Sequence, residues 1–176
     1  VGLPCGVYPA QYAVASLYSN AVDRGLSALR VLTSTALNSW VSMLRQGATM
    51  TMEMWNADEK PNLTWSHPWA SSPAFIIAWY LFGIRPAVPG FAAVTVRPQP
   101  GDLSRGHLEL PTIRGTVGTS FTQAQGGDTF ALNVSLPATS VGLVALPLPF
   151  GVTDEAAVRK FCLRVNGAAP MPVNAS

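Results

Sequence analysis

The apolar residues of this chain recur at two different periods, and the change falls at Pro86. Before it they are spaced three and four apart, as on one face of a helix. After it they alternate, as on one face of a strand. A chain patterned this way cannot fold as one uniform layer. It must be a helical piece followed by a β piece, divided here as residues 1–86 and 87–176. The fifteen glycines and fifteen prolines concentrate after residue 85, which fits a part built from short strands and turns.

Four helices are expected in the first part. Pro9 to Val22 carries a stripe of Val14, Leu17, Tyr18, Ala21 and Val22, and Asp23-Arg24 breaks it. Gly25 to Leu32 follows. Asn38 to Arg45 is the third, with Asn38 as its N-cap and Gly47 closing it. The fourth lies within Ser66 to Phe82, with Ser72-Pro73 as cap and first turn and Gly83 as its end. Apolar residues surround this last helix, so burial on all sides is expected. Gly83 to Pro89 reads as a linker. Strands are then expected at Ala93–Val96, Leu108–Leu110, Val117–Phe121, Phe130–Leu136, Val141–Leu146 and Phe161–Val165. Turn signals stand at Gly126-Gly127-Asp128 and Asn166-Gly167. Such spacing points to an antiparallel β-sandwich.

Composition excludes several classes of function. Only 11% of the 176 residues are charged, against roughly 25% in an ordinary domain, and the net charge is +2. No basic run exists to track a nucleic acid. The longest apolar stretch, Pro73 to Ile84, is too short to span a membrane. Cys5 and Cys162 stand far apart and read as unrelated thiols. No His, Cys or Asp cluster has metal-ligand spacing, and no Gly-rich phosphate loop or Gly-x-Ser-x-Gly elbow occurs, so no cofactor is expected. The chain opens on Val1 with no leader-like segment, and reads as a piece of a longer protein. Three Asn-x-Ser/Thr sequons, at Asn62, Asn133 and Asn174, would accept glycans only in a secretory compartment. The compartment stays open, with a secreted or periplasmic one favoured.

Chemistry concentrates between the third and fourth helices, in Gly47 to Trp69. Trp55, Trp65, Trp69, Glu53, Asp58, Glu59 and His67 all fall there, with Trp40 just upstream. Aromatic faces beside a carboxylate suit a sugar: the rings stack on pyranose C–H groups, and the carboxyl serves as acid or base. The competing reading is a tryptophan-rich core under a long loop, with Glu53 paired to Arg45 or Lys60. Met50, Met52 and Met54 alternate with Thr49, Thr51 and Glu53, which would send the methionines one way and Glu53 the other. Asp58 and Glu59 read as a solvated turn, and His67 as either a capping residue or a ligand-binding one.

An ordered series of motifs resembles the bacterial α-L-rhamnosidases, family 78 of the glycoside hydrolases. The series is Tyr8-Pro9-Ala10-Gln11-Tyr12, Ser39-Trp40, Gly47-Ala48-Thr49-Met50-Thr51-Met52-Glu53-Met54-Trp55, Lys60-Pro61-Asn62, His67 and Trp69. It continues through Tyr80-Leu81-Phe82-Gly83-Ile84-Arg85-Pro86, Pro89-Gly90-Phe91, Arg97-Pro98 and Pro111-Thr112-Ile113-Arg114-Gly115. The resemblance implies the final helices of an (α/α)6 toroid followed by a β-sandwich, and inverting hydrolysis of terminal α-L-rhamnosyl groups. It implies Glu53 as general base, with Trp55, His67, Trp40 and Trp69 lining the sugar pocket. Asn56 stands where an acidic residue is common in the family. The general acid would come from an earlier part of the barrel, in the remainder of the parent chain. The partner is then a neutral carbohydrate, with no nucleic acid and no membrane. The alternative is a carbohydrate-binding or structural fragment that lacks the general acid and does not cleave.

Overall fold

The computed structural model describes residues 2–19, 23–125 and 129–148, and the backbone of 162–163 and 171–172. Helices come first and strands after, as the two periods dictate. Helix α1 (Val7–Ser19) buries Val7, Ala10, Val14 and Tyr18, spaced three and four apart along one stripe. Helix α2 (Leu26–Leu32) starts after Gly25, whose φ of 81° suits a residue without a side chain. The Asp23 carboxylate accepts from the amides of Gly25 and Ser27, so it satisfies first-turn donors that would otherwise be bare.

Helix α3 (Trp40–Arg45) is capped by Ser39, not by Asn38 as expected. The Ser39 hydroxyl accepts from the Ser42 amide, while the Asn38 side chain donates to the Leu3 carbonyl and anchors the N-terminal segment. The fourth helix begins at Pro73 as α4 (Pro73–Ile76) and widens to a π-helical turn over Ile77–Leu81. Ser72 holds the cap position without a side-chain bond to the helix. Burial on all sides is not what this helix shows. Ile76, Ala78, Leu81 and Phe82 are buried, but Phe75, Ile77 and Trp79 face outward.

Gly83 ends the helix with φ of 70°, and the expected linker is ordered. Ile84–Pro86 is strand β1, antiparallel to β2 (Ala93–Val96), with Ile84 opposite Val96. Strands β3 (Arg105–Thr112), β4 (Gly115–Gln123) and β5 (Phe130–Ser135) form an antiparallel sheet. The Gly126-Gly127-Asp128 signal itself lies outside the described residues, but Gln123 pairs with Phe130 on either side of it. Strand β6 (Val141–Val144) then returns to lie parallel to β2, giving the order β1-β2-β6. This parallel pair departs from a wholly antiparallel pattern. The whole β3–β5 sheet acts as the crossover, long enough to bring the chain back in the same direction. Short strands β7 (Cys162–Leu163) and β8 (Met171–Pro172) pair antiparallel; Asn166-Gly167 and Asn174 lie outside the described residues.

Helices and sheets share one core. Phe82, at the end of the π turn, packs on Phe121 of β4 with ring centroids 5.6 Å apart, and Phe121 stacks on Phe130 of β5. Arg24 is buried, lies over the Phe130 ring and donates to the Gln123 side chain at 2.8 Å. Gln123 in turn donates to the carbonyls of Gly101 and Leu103.

Among the described residues, the tightest backbone approach is at Gly83. A methyl group there would sit 2.0 Å from the Arg97 carbonyl oxygen, at a φ that side chains rarely adopt. Gly83→Ala is expected to lower the unfolding free energy by about 3 kcal/mol or more, read from urea denaturation; a loss below about 1 kcal/mol would mean the strands can part there freely.

Candidate functional site

Loop 47–69 is held by its own backbone and by the helices beneath. Gly47, at φ of 87°, turns the chain off α3, and the Ala48 amide caps the helix through the Met43 carbonyl. The loop then folds back on itself. The Glu53 amide donates to the Thr64 carbonyl at 2.9 Å, and the His67 amide to the Thr51 carbonyl at 2.7 Å. The Thr51 hydroxyl closes the second contact by donating to the His67 carbonyl. No regular strand results, and the methionines differ in burial. Met52 is wholly buried while Met50 is half exposed. Each is placed by what lies under the loop, which overrides the period of two.

Glu53 is gripped at both oxygens. Lys60 Nζ donates to Oε1 at 2.6 Å, and the Thr64 amide donates to Oε2 at 3.1 Å. Both bonds favour the charged form, so Lys60 first and the Thr64 amide second hold the carboxyl below its ordinary value. A carboxylate offers about four lone-pair sites. Two are used here, and the side chain keeps access to solvent. The Lys60 ion pair is one of the two pairings the loop composition allowed; Arg45 instead donates to the Thr35 carbonyl.

The tryptophans divide into two sets. Trp40 and Trp55 are 8% and 3% exposed and meet edge to face, ring centroids 5.2 Å apart. Their indole N–H groups donate to the carbonyls of Ala70 and Cys5. Both therefore tie the loop to the helical core, and Trp55 also borders a cavity of about 230 Å³ with Pro4, Cys5 and Asn38. Trp69 is 62% exposed and stacks on the Tyr8 ring at 6.0 Å, the two planes tilted by 30°. His67 Nε2 is 3.0 Å from the Tyr8 hydroxyl, and the two rings meet edge to face. Tyr8, His67 and Trp69 thus form one open aromatic wall. Tyr8 was not singled out as a site residue by the sequence, since its place on α1 gives no local sign that it meets residues some sixty positions away. Asn56 accepts from the Asp58 amide and caps the turn Ala57–Glu59, whose two acids are exposed. Among the described residues, no three His, Cys, Asp or Glu side chains gather to hold a metal.

Residues 2–80 match the bacterial α-L-rhamnosidase 6 hairpin glycosidase domain, and residues 83–157 match the bacterial α-L-rhamnosidase C-terminal domain. Solved structures with the same fold include the α-L-rhamnosidase from Dictyoglumus thermophilum, with TM-score 0.70, 25% identity, and 81% of this chain aligned to 16% of that one. The Streptomyces avermitilis α-L-rhamnosidase complexed with L-rhamnose gives 0.70 at 23% identity, aligning 81% of this chain to 14% of that one. The native Aspergillus terreus enzyme gives 0.70 at 22%, aligning 83% to 18%. A search of the curated proteins finds no match. Helices of a six-hairpin glycosidase joined to a β domain define the class. The chain belongs to the bacterial α-L-rhamnosidase family, and it spans less than a fifth of the length of these solved structures.

The Glu53–Lys60 pair has a definite pH signature. A depressed carboxyl stabilises the fold above the unfolded value of about 4.3, and that contribution is lost as pH falls through the folded value. Lys60→Met is expected to raise the Glu53 midpoint toward the ordinary carboxyl range, measured by carbon-13 NMR titration, and to flatten the acid slope of stability. An unmoved midpoint would show that Lys60 does not control the carboxyl. Trp40→Phe, which strips the Ala70 carbonyl of its donor, is expected to cost about 1–3 kcal/mol in chemical denaturation.

Proposed function

We propose that this chain contributes the general-base side of an inverting α-L-rhamnosidase, with Glu53 activating the attacking water. The observation that carries the proposal is the double grip on Glu53. A general base must be ionised before it can take a proton. Lys60 and the Thr64 amide keep Glu53 ionised at neutral pH and leave lone pairs for a water. The same environment argues against Glu53 as the general acid, which needs a raised value.

Tyr8, His67 and Trp69 would supply the wall against which the sugar stacks, while Trp40 and Trp55 act from beneath by fixing the loop. Inversion requires a carboxylic acid roughly 6.5–9.5 Å from the base, with water between them. The described residues hold four helices of a toroid that closes with twelve. On this reading the acid comes from barrel helices elsewhere in the whole protein. A neutral deoxy-sugar needs no electrostatic steering, in keeping with the net charge of +2.

In the whole protein, Glu53→Gln is expected to lower kcat on an aryl α-L-rhamnoside by about 10²–10⁴ with KM nearly unchanged. The first sugar released by the unaltered protein should be the β anomer by proton NMR. Full activity in Glu53→Gln, or α-rhamnose as first product, would overturn the assignment.

A further inference from the structure

A second cavity lies away from loop 47–69, where α1, the π turn and the β1–β2 pair meet. Its volume is about 510 Å³, within the roughly 300–1,000 Å³ of small-molecule sites. No residue of loop 47–69 is among those that line it.

Two of its lining residues carry a buried oxygen with no partner among the described residues, Tyr18 Oη and Gln99 Oε1. Tyr18 is 2% exposed, and its ring stacks on Tyr80 at 5.3 Å. Leaving such groups unpaired is costly, and folded proteins rarely do so without a ligand or water to complete them. Burial, aided by the nearby Asp23 carboxylate, pushes the Tyr18 phenol well above its usual value, so it stays protonated and can donate. Asp23 itself is committed to the Gly25 and Ser27 amides. Gln99 Oε1 can only accept. The site therefore offers one neutral donor and asks for one donor in return.

Two guanidiniums stand at the same cavity, with no Asp or Glu among its described lining residues. Arg85 lies over the Tyr80 ring at 4.0 Å and spends only Nε, on the Trp79 carbonyl. No side-chain bond engages Arg97 among the described residues, and it is exposed. Arginines lining one cavity without a carboxylate partner suit a carboxylate or another oxyanion. Trp79, half exposed at the wall, adds an aromatic surface of the kind that covers the C–H face of a sugar ring.

We infer that this cavity binds a sugar bearing a carboxylate. Arg85 and Arg97 take the carboxylate, Tyr18 Oη donates to a ring oxygen, Gln99 Oε1 accepts from a ring hydroxyl, and Trp79 flanks the ring. The inference does not rest on the role of Glu53. Sulfate would satisfy the arginines but bring no hydroxyl to Gln99, and a neutral sugar would leave the arginines unmatched.

The test is calorimetric titration of the protein with D-glucuronate, D-glucose and sulfate separately, repeated on Arg97→Gln and Tyr18→Phe. Arg97 is exposed, so its variant should keep the melting temperature of the unaltered protein. Saturable glucuronate binding is expected, about tenfold weaker in Arg97→Gln and weakened in Tyr18→Phe, with glucose and sulfate binding at least about tenfold more weakly than glucuronate. Absence of glucuronate binding would overturn the inference, as a cavity holding water only. Binding unaffected by both substitutions would place the ligand elsewhere and overturn it too. Sulfate binding as tight as glucuronate would reduce the site to a plain anion trap.

Discussion

The backbone of Gly83 lies so close to that of Arg97 that no side chain fits between them, and the joining of helices to sheets depends on that approach. Once the chain turns at Gly83, the Arg97 amide reaches the Gly83 carbonyl and the Gln99 amide reaches the Leu81 carbonyl. These bonds carry the β1–β2 ladder back beneath the π turn. They also set Phe82 against Phe121, so the helical core and the second sheet become one apolar interior. Arg24 and Gln123 clamp the same junction from the side of α2. The two parts differ in secondary structure but are not separately built.

Loop 47–69 shows a division of labour that residue types alone do not reveal. Four tryptophans stand in or beside it. Two are spent on holding the loop, through indole N–H bonds to the backbone carbonyls of Ala70 and Cys5. Trp65 and Trp69 stay exposed. The core reading of this loop therefore describes Trp40 and Trp55, while Trp65 and Trp69 keep the exposure that the proposed sugar contact requires. The ion pair that the core reading proposed for Glu53 also supplies the ionised state that the catalytic reading requires.

Much of the fold was legible because it is written in local periods. Ala93–Val96 was expected as a strand and is β2, and the stripe on α1 is the one that is buried. What could not be read depends on distant partners. Asn38 and Ser39 are both good caps, and only the arrival of Leu3 decides that Ser39 serves. Phe75, Ile77 and Trp79 look like core residues in any window of sequence, yet among the described residues each stays more than a third exposed. At the proposed site, the resemblance points to Glu53, but its grip by Thr64 arises from a loop folding on itself across eleven positions. Tyr8 reaches His67 across fifty-nine. No periodicity carries such information.

The parallel pairing of β6 with β2 has a consequence for how the chain must assemble. Ala93 finds Val141 only after everything between them has been laid down, so this contact closes a long loop and returns little until the closure is made. The β3–β4–β5 meander needs only short turns and can form first. Sheet β1-β2-β6 would then be completed last, by a strand that docks onto an edge already fixed by the helices, and formation of that sheet should set the pace for this half of the molecule.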